Sequence, residues 1–109
     1  ETKEKLFDDP EEVLKRLGEN TAVVCYNDEV AFGLVKCLLS AGRRVPEDVA
    51  VVSFDNSNLS WISQVPITSL SYEDRNIGRI AAQKLVDILD GRDVSSEVLP
   101  WTFIQKESS

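Results

Sequence analysis

The sequence contains no histidine and no methionine, and only two cysteines, in 109 residues. Without histidine there is no imidazole base, no Ser-His-Asp or Cys-His nucleophile pair and no His-ligated metal. Cys25 and Cys37 lie too far apart for a CxxC motif and are too few for a zinc site or a disulfide framework. They read as free core thiols of a reducing compartment. Basic residues are scarce, 12 Lys and Arg against 19 Asp and Glu, and the net charge of −7 has the wrong sign for a surface that neutralises phosphates. GxGxxG and the P-loop are missing, so a dinucleotide or phosphate cradle has no support. Ser57, Ser60 and Ser63 have no base to activate them, which leaves nucleophilic catalysis without a starting point. No apolar run approaches the roughly 20 residues of a membrane span, and nothing at the start resembles a signal peptide. A chain that opens on Glu1 with no methionine is expected to be a piece of a longer protein.

At 42% hydrophobic and 28% charged residues, the composition is ordinary for a soluble globular chain of at most one domain. Asp9-Pro10-Glu11-Glu12 supplies an N-cap, a proline at the first helical position and an acidic first turn. Val13, Leu14 and Leu17 follow at helical spacing, and Gly18 ends the helix. Thr21–Tyr26 is a continuous apolar run without alternation, which predicts a strand buried on both faces. A helix is predicted over 29–41 from Val30, Ala31, Leu34, Val35, Leu38 and Ala41, with Gly42 as its C-cap. Val49–Phe54 is a second buried strand, so the unit is strand–helix–strand and the class is α/β with a parallel sheet and flanking helices. Leu59–Gln64 reads as a helical turn and Ile67–Ser71 as a third short strand. Ser71-Tyr72-Glu73-Asp74 has capping-box form ahead of a helix over about 73–89. The apolar stripe of that helix, Ile77, Ile80, Ala81, Leu85 and Ile88, is expected to be covered by the chain's own sheet or by another copy. Val98–Ile104 predicts one or two edge strands.

Both buried strands end alike, the first in Tyr26-Asn27-Asp28 and the second in Phe54-Asp55-Asn56. Open parallel sheets bind ligands outside the carboxyl ends of their strands. A carboxylate that accepts from two hydroxyls beside a carboxamide that gives one bond and takes one suits a neutral polyhydroxylated ligand. The competing reading is structural: Asn27 or Asp28 caps the next helix, and Asp55 or Asn56 shapes a turn. Trp61 and Trp101 can stack on a sugar face but equally serve a core or an interface. Glu73 and Asp74 read as helix-start acids, and Arg43-Arg44 as a helix end without a basic patch.

The segment from Thr21 to Leu89 resembles the effector-binding domain of the lactose/galactose repressor (LacI/GalR) family. The matching pieces are Asn27-Asp28-Glu29-Val30-Ala31 with Gly33, then Gly42 followed by Val45-Pro46-Glu47-Asp48-Val49. Phe54-Asp55-Asn56, Pro66-Ile67-Thr68-Ser69 and Gly78 continue the order and spacing, and the tail from Leu99 looks like the family's closing strand. The aromatic before Asn27-Asp28 resembles arabinose repressors, which join this domain to a winged-helix DNA-binding head.

The resemblance implies a type I periplasmic-binding-protein-like fold, two α/β lobes closing on a small ligand. Residues 1–109 would then be the C-terminal portion of such a domain, without the DNA-binding head and most of the N-terminal lobe. Asn27 and Asp55 would bind effector hydroxyls, while Phe32 and Trp61, Ile62 and Ser63 would lie near a homodimer interface. The helix over 73–89 would pack on the other lobe, and Ile67–Ser71 would be a hinge crossover. The implied partners are a sugar effector and, through the missing head, operator DNA. The setting would be cytoplasmic, with no membrane, cofactor, metal or catalysis involved. Three positions depart from the family pattern: Ser53 for glycine, Asn56 for a second aspartate and Lys106 for arginine. Ser53 is expected to alter the backbone approach at its strand end. An extracellular sugar-binding transport protein shares the fold and is the alternative. A small α/β enzyme would need a carboxylate of raised pKa near Asp55 as its base.

Overall fold

A computed structural model describes residues 8–19, 22–72 and 76–109. Helix α1, Pro10–Leu17, starts where the sequence places it: the Asp9 side chain accepts from the Glu12 N–H, and Pro10 occupies the first turn. Strand β1, Ala22–Val24, leads into helix α2, Asp28–Ser40. That helix closes in a Schellman motif, the Arg43 N–H donating to the Leu38 carbonyl at 2.9 Å and the Gly42 N–H to that of Leu39 at 3.1 Å. The motif needs a left-handed residue, and Gly42 supplies it at φ 76°. In the turn that follows, the Asp48 carboxylate accepts from the Arg44 backbone N–H at 2.7 Å and from its guanidinium at 3.0 and 3.2 Å.

Strand β2 is Ala50–Phe54, helix α3 Asn58–Ile62 and strand β3 Thr68–Ser71. Helix α4, Ile77–Leu89, and strand β4, Thr102–Ile104, complete the described elements. The sheet runs β1-β2-β3-β4 in space. The first three strands are parallel, with Val23 beside Val51 and Ser53 beside Ser69, and β4 is an antiparallel edge with Ile104 beside Ser69. The α/β class with a mostly parallel sheet is therefore as read from the sequence. The C-terminal tail ties the amino ends of β2 and β3 together. The Ser108 carbonyl accepts from the Val51 N–H at 2.8 Å, and its hydroxyl oxygen accepts from the Thr68 N–H at 2.8 Å.

The core lies on one face of the sheet. Val30, Ala31, Leu34, Val35 and Leu38 of α2 meet Cys25, Val45, Val49, Val51 and Ile67, with Val13, Leu14 and Leu17 of α1 packed on the margin. Each fully buried valine, leucine or isoleucine among them contributes roughly 1.5–3 kcal/mol by leaving water. Burial pushes the Cys25 thiol up to about 11 and raises that of Cys37 as well.

Three expectations change. Strand β1 is not buried on both faces: it is the sheet's edge, Val24 is 70% exposed, and only Val23 is half-buried within the strand. Apolar character told of the sheet but not of the strand's place in it. Second, the described part of the long helix begins at Ile77, capped by Asn76, whose side chain accepts from the Arg79 N–H at 2.9 Å. Glu73 and Asp74, the acids of the expected capping box, lie outside the described residues. Third, the α4 stripe does not meet the sheet. No side chain of α4 is buried, and Ile77, Leu85 and Ile88 are exposed. A radius of gyration of 17.8 Å and extents of 58 × 27 × 22 Å go with a helix standing clear of the core, since a compact chain of this length has a radius near 13 Å.

Candidate functional site

The carboxyl ends of β1, β2 and β3 and the amino end of β4 share one edge of the sheet. Asn27 follows β1, Asp55 follows β2, Tyr72 follows β3, and Trp101 precedes β4. Trp101 stacks on Tyr72 with ring centroids 3.9 Å apart, and meets Phe54 edge-on at 5.3 Å. An aromatic cluster therefore lies beside Asp55, with Trp101 itself still partly exposed.

The two strand-end pairs split in the same way, one member turned inward and one left at the edge. Asn27 is half-buried, and its Oδ1 accepts from the Val30 N–H at 3.0 Å, so it caps α2. Asp28 is 1% exposed. One carboxylate oxygen accepts from the Ser53 hydroxyl and from the Ser69 hydroxyl at 2.9 Å, and the other accepts from the Ser57 N–H at 2.5 Å. Asp28 is thus the internal knot that joins α2 to β2, β3 and the loop after β2. Ser53 acts through its hydroxyl in that knot.

Asp55 is exposed, at φ 104°, and its N–H donates to the Leu70 carbonyl at 2.9 Å. Asn56 follows at φ 53°, with its N–H donating to the Ser69 hydroxyl oxygen at 2.9 Å. Two successive left-handed, non-glycine residues are a costly backbone, of the kind that the surrounding structure must hold in place. The side chain of Asn56 is turned away from the edge, where Lys106 Nζ donates to its Oδ1 at 2.7 Å. Desolvation lowers the Lys106 pKa, with the charge of Asp28 acting in the opposite direction.

The residues expected at a dimer interface gather at α3 and α2. Phe32 and Ser63 line one shallow groove of about 250 Å³ with Val35, Lys36 and Gln64. Trp61 and Ile62 are 55% and 69% exposed on the neighbouring helix. Sequence reasoning missed the aromatic trio, the burial of Asp28 and the reach of Lys106. One signal was available: Ser53 and Ser69 fall at interior strand positions, where a buried hydroxyl needs a partner. Among the described residues no group of three or more acidic or cysteine side chains is placed to hold a metal ion. None of the described helices is long and apolar enough to cross a membrane.

Residues 2–109 match the periplasmic binding protein-like domain family. The chain is 35% identical over 78 residues to the HTH-type transcriptional repressor PurR of Vibrio atlanticus, covering 72% of this chain and 23% of that protein. It is 34% identical over 74 residues to the arabinose metabolism transcriptional repressor of Geobacillus stearothermophilus, covering 68% of this chain and 20% of the repressor. The transcriptional regulator CelR, solved in complex with cellobiose, superposes with a TM-score of 0.85 at 32% identity, over 99% of this chain and 34% of that one. The chain therefore spans about a fifth of the length of the curated relatives it matches. It belongs to the periplasmic binding protein-like domain family, in the form that LacI-family transcriptional regulators carry.

Proposed function

We propose that this chain is the C-terminal portion of the effector-binding domain of a transcriptional repressor, and that its effector is a sugar. The carrying observation is the sheet edge: an outward carboxylate at Asp55 stands beside the Phe54–Tyr72–Trp101 cluster. Aromatic faces suit the apolar face of a sugar ring, and a carboxylate suits its vicinal hydroxyls. Asn27 adds the Nδ2 amide as a donor, its Oδ1 being engaged at the helix cap. The relatives are named as repressors, and one structural neighbour holds cellobiose, which favours regulation over transport. We read the site as binding without turnover, because the relatives are named as transcriptional repressors.

Binding would act by population shift. A sugar held between Asn27, Asp55 and a second lobe stabilises a closed form, and closure reorients the two subunits of a homodimer and their operator-binding heads. Phe32, Trp61, Ile62 and Ser63 form the homodimer face in this reading. The protein would work in the cytoplasm, where the operator is. The test is titration calorimetry of the full-length repressor with cellobiose and arabinose. Asp55→Ala removes a charged acceptor worth about 1.5–3 kcal/mol, so affinity should fall roughly 10- to 100-fold. Unchanged affinity and induction would refute the assignment.

A further inference from the structure

Lys106 lies just past β4, half-buried, and its ammonium is held from three sides. Nζ donates to Asn56 Oδ1 at 2.7 Å, to the Ile67 carbonyl at 2.8 Å and to Ser60 Oγ at 3.1 Å. An ammonium has three protons, so its donor capacity is fully used. It also sits 4.3 Å from the centre of the Trp61 ring, within cation–π range. Its own backbone is anchored, the Lys106 N–H donating to Thr68 Oγ1 at 2.9 Å. The cation is therefore fixed to the start of β3 and grips the loop after β2 from there. Ser60 carries the grip further, since its hydroxyl donates to the Ser57 carbonyl at 2.7 Å.

We propose that Lys106 is a positioning residue that fixes Asn56, and with it the left-handed Asp55 backbone, and that couples this loop to the exposed Trp61–Ile62 face. The backbone N–H groups of Asp55, Asn56 and Ser57 are held by Leu70, Ser69 and Asp28. Among the described residues, Lys106 alone holds the Asn56 carboxamide, and only it joins that carboxamide to Ser60 and Trp61. A displacement of the loop at Asp55 must therefore either carry the ammonium along or break one of its bonds, and both outcomes reach Trp61. The positioning role rests on the reading of Asp55 as an effector residue; the coupling of loop to Trp61 does not.

The experiment compares the wild-type chain with Lys106→Met, Lys106→Arg, Asn56→Ala and the Lys106→Met/Asn56→Ala pair by residue-resolved amide exchange and the Trp61 indole signal. Lys106→Met keeps the stem and removes the cation. It should speed exchange across residues 57–63 by roughly tenfold or more, while the Leu34 and Leu38 amides stay unchanged. Lys106→Arg, which restores charge and donors, should return the loop to wild-type protection. Asn56→Ala should shift the Trp61 signal, and adding it to Lys106→Met should change little more, because the two act through one bond. Unchanged loop exchange, equal acceleration throughout the core, no rescue by arginine or strict additivity would each overturn the coupling. Should Lys106→Met fail to fold, Asn56→Ala decides alone: an unmoved Trp61 signal overturns the proposal. Titration with cellobiose and arabinose forms a separate arm. If neither sugar binds the wild type, the effector reading fails while the exchange results still decide the coupling. If one binds, Lys106→Met should weaken it about tenfold, and equal affinity would overturn the positioning role.

Discussion

A carboxylate as deeply buried as that of Asp28 is stable only when its lone pairs are filled, and here two serine hydroxyls and a backbone N–H fill them. Asp28→Ala would leave the Ser57 N–H without an acceptor and strip both hydroxyls of their common partner. Ser53 and Ser69 already lie 3.4 Å apart and can recover part of the loss by bonding each other. The expected cost is about 2–3 kcal/mol, read from the urea midpoint at unchanged slope, and a loss below about 0.5 kcal/mol would contradict the knot. At this scale the sequence was half legible. Both strand ends showed their polar residue types in the sequence, yet nothing in Asn27-Asp28 or Asp55-Asn56 says which member turns inward. That choice depends on Ser53, Ser69 and Lys106, which are distant in the chain and adjacent only in the fold.

Among the elements, α2 and α4 make a controlled pair, because both have 13 residues and both end in a left-handed glycine, Gly42 and Gly91. Helix α2 buries Val30, Ala31, Leu34, Val35 and Leu38, whereas α4 buries nothing. Their contributions to stability should differ accordingly. Leu38→Ala is expected to cost about 2–5 kcal/mol, and Leu85→Ser to stay within about 0.5 kcal/mol, both measured by thermal or urea unfolding. Amides of α4 should also exchange faster than those of α2, since few buried contacts oppose local opening. Equal protection of the two helices would mean that α4 is covered in solution. Periodicity revealed both helices and their stripes from the sequence. It carried no information on whether a stripe has something to pack against, because spacing describes one face and packing needs two.

For the whole molecule, the net charge of −7 sets a sign that repels nucleic acid, so operator contact in the proposed repressor belongs to another part of the protein. The elongated outline, 58 Å in its longest dimension, places an unburied helix beside a compact core. Assembly is expected to use a different surface, the one formed by Phe32, Trp61, Ile62 and Ser63. Because Ile62 is exposed, Ile62→Glu should leave the fold intact while placing a charge in that contact. Sedimentation of the full-length repressor should then show monomer at concentrations where the wild type is a dimer. A persistent dimer with unchanged circular dichroism would move the interface elsewhere.

Local rules acting along the chain were enough to determine the α/β class, the helix cap at Asp9 and the stop at Gly42. Each of these depends on residues within a few positions of one another. The missing histidine likewise excluded imidazole chemistry whatever the fold. Tertiary structure alone decided the edge position of β1, the burial of Asp28, the aromatic stack on Trp101 and the grip of Lys106 on Asn56. These are meetings between segments separated by tens of residues, and they depend on how strands pair and where the tail returns. Composition and periodicity do not encode that geometry.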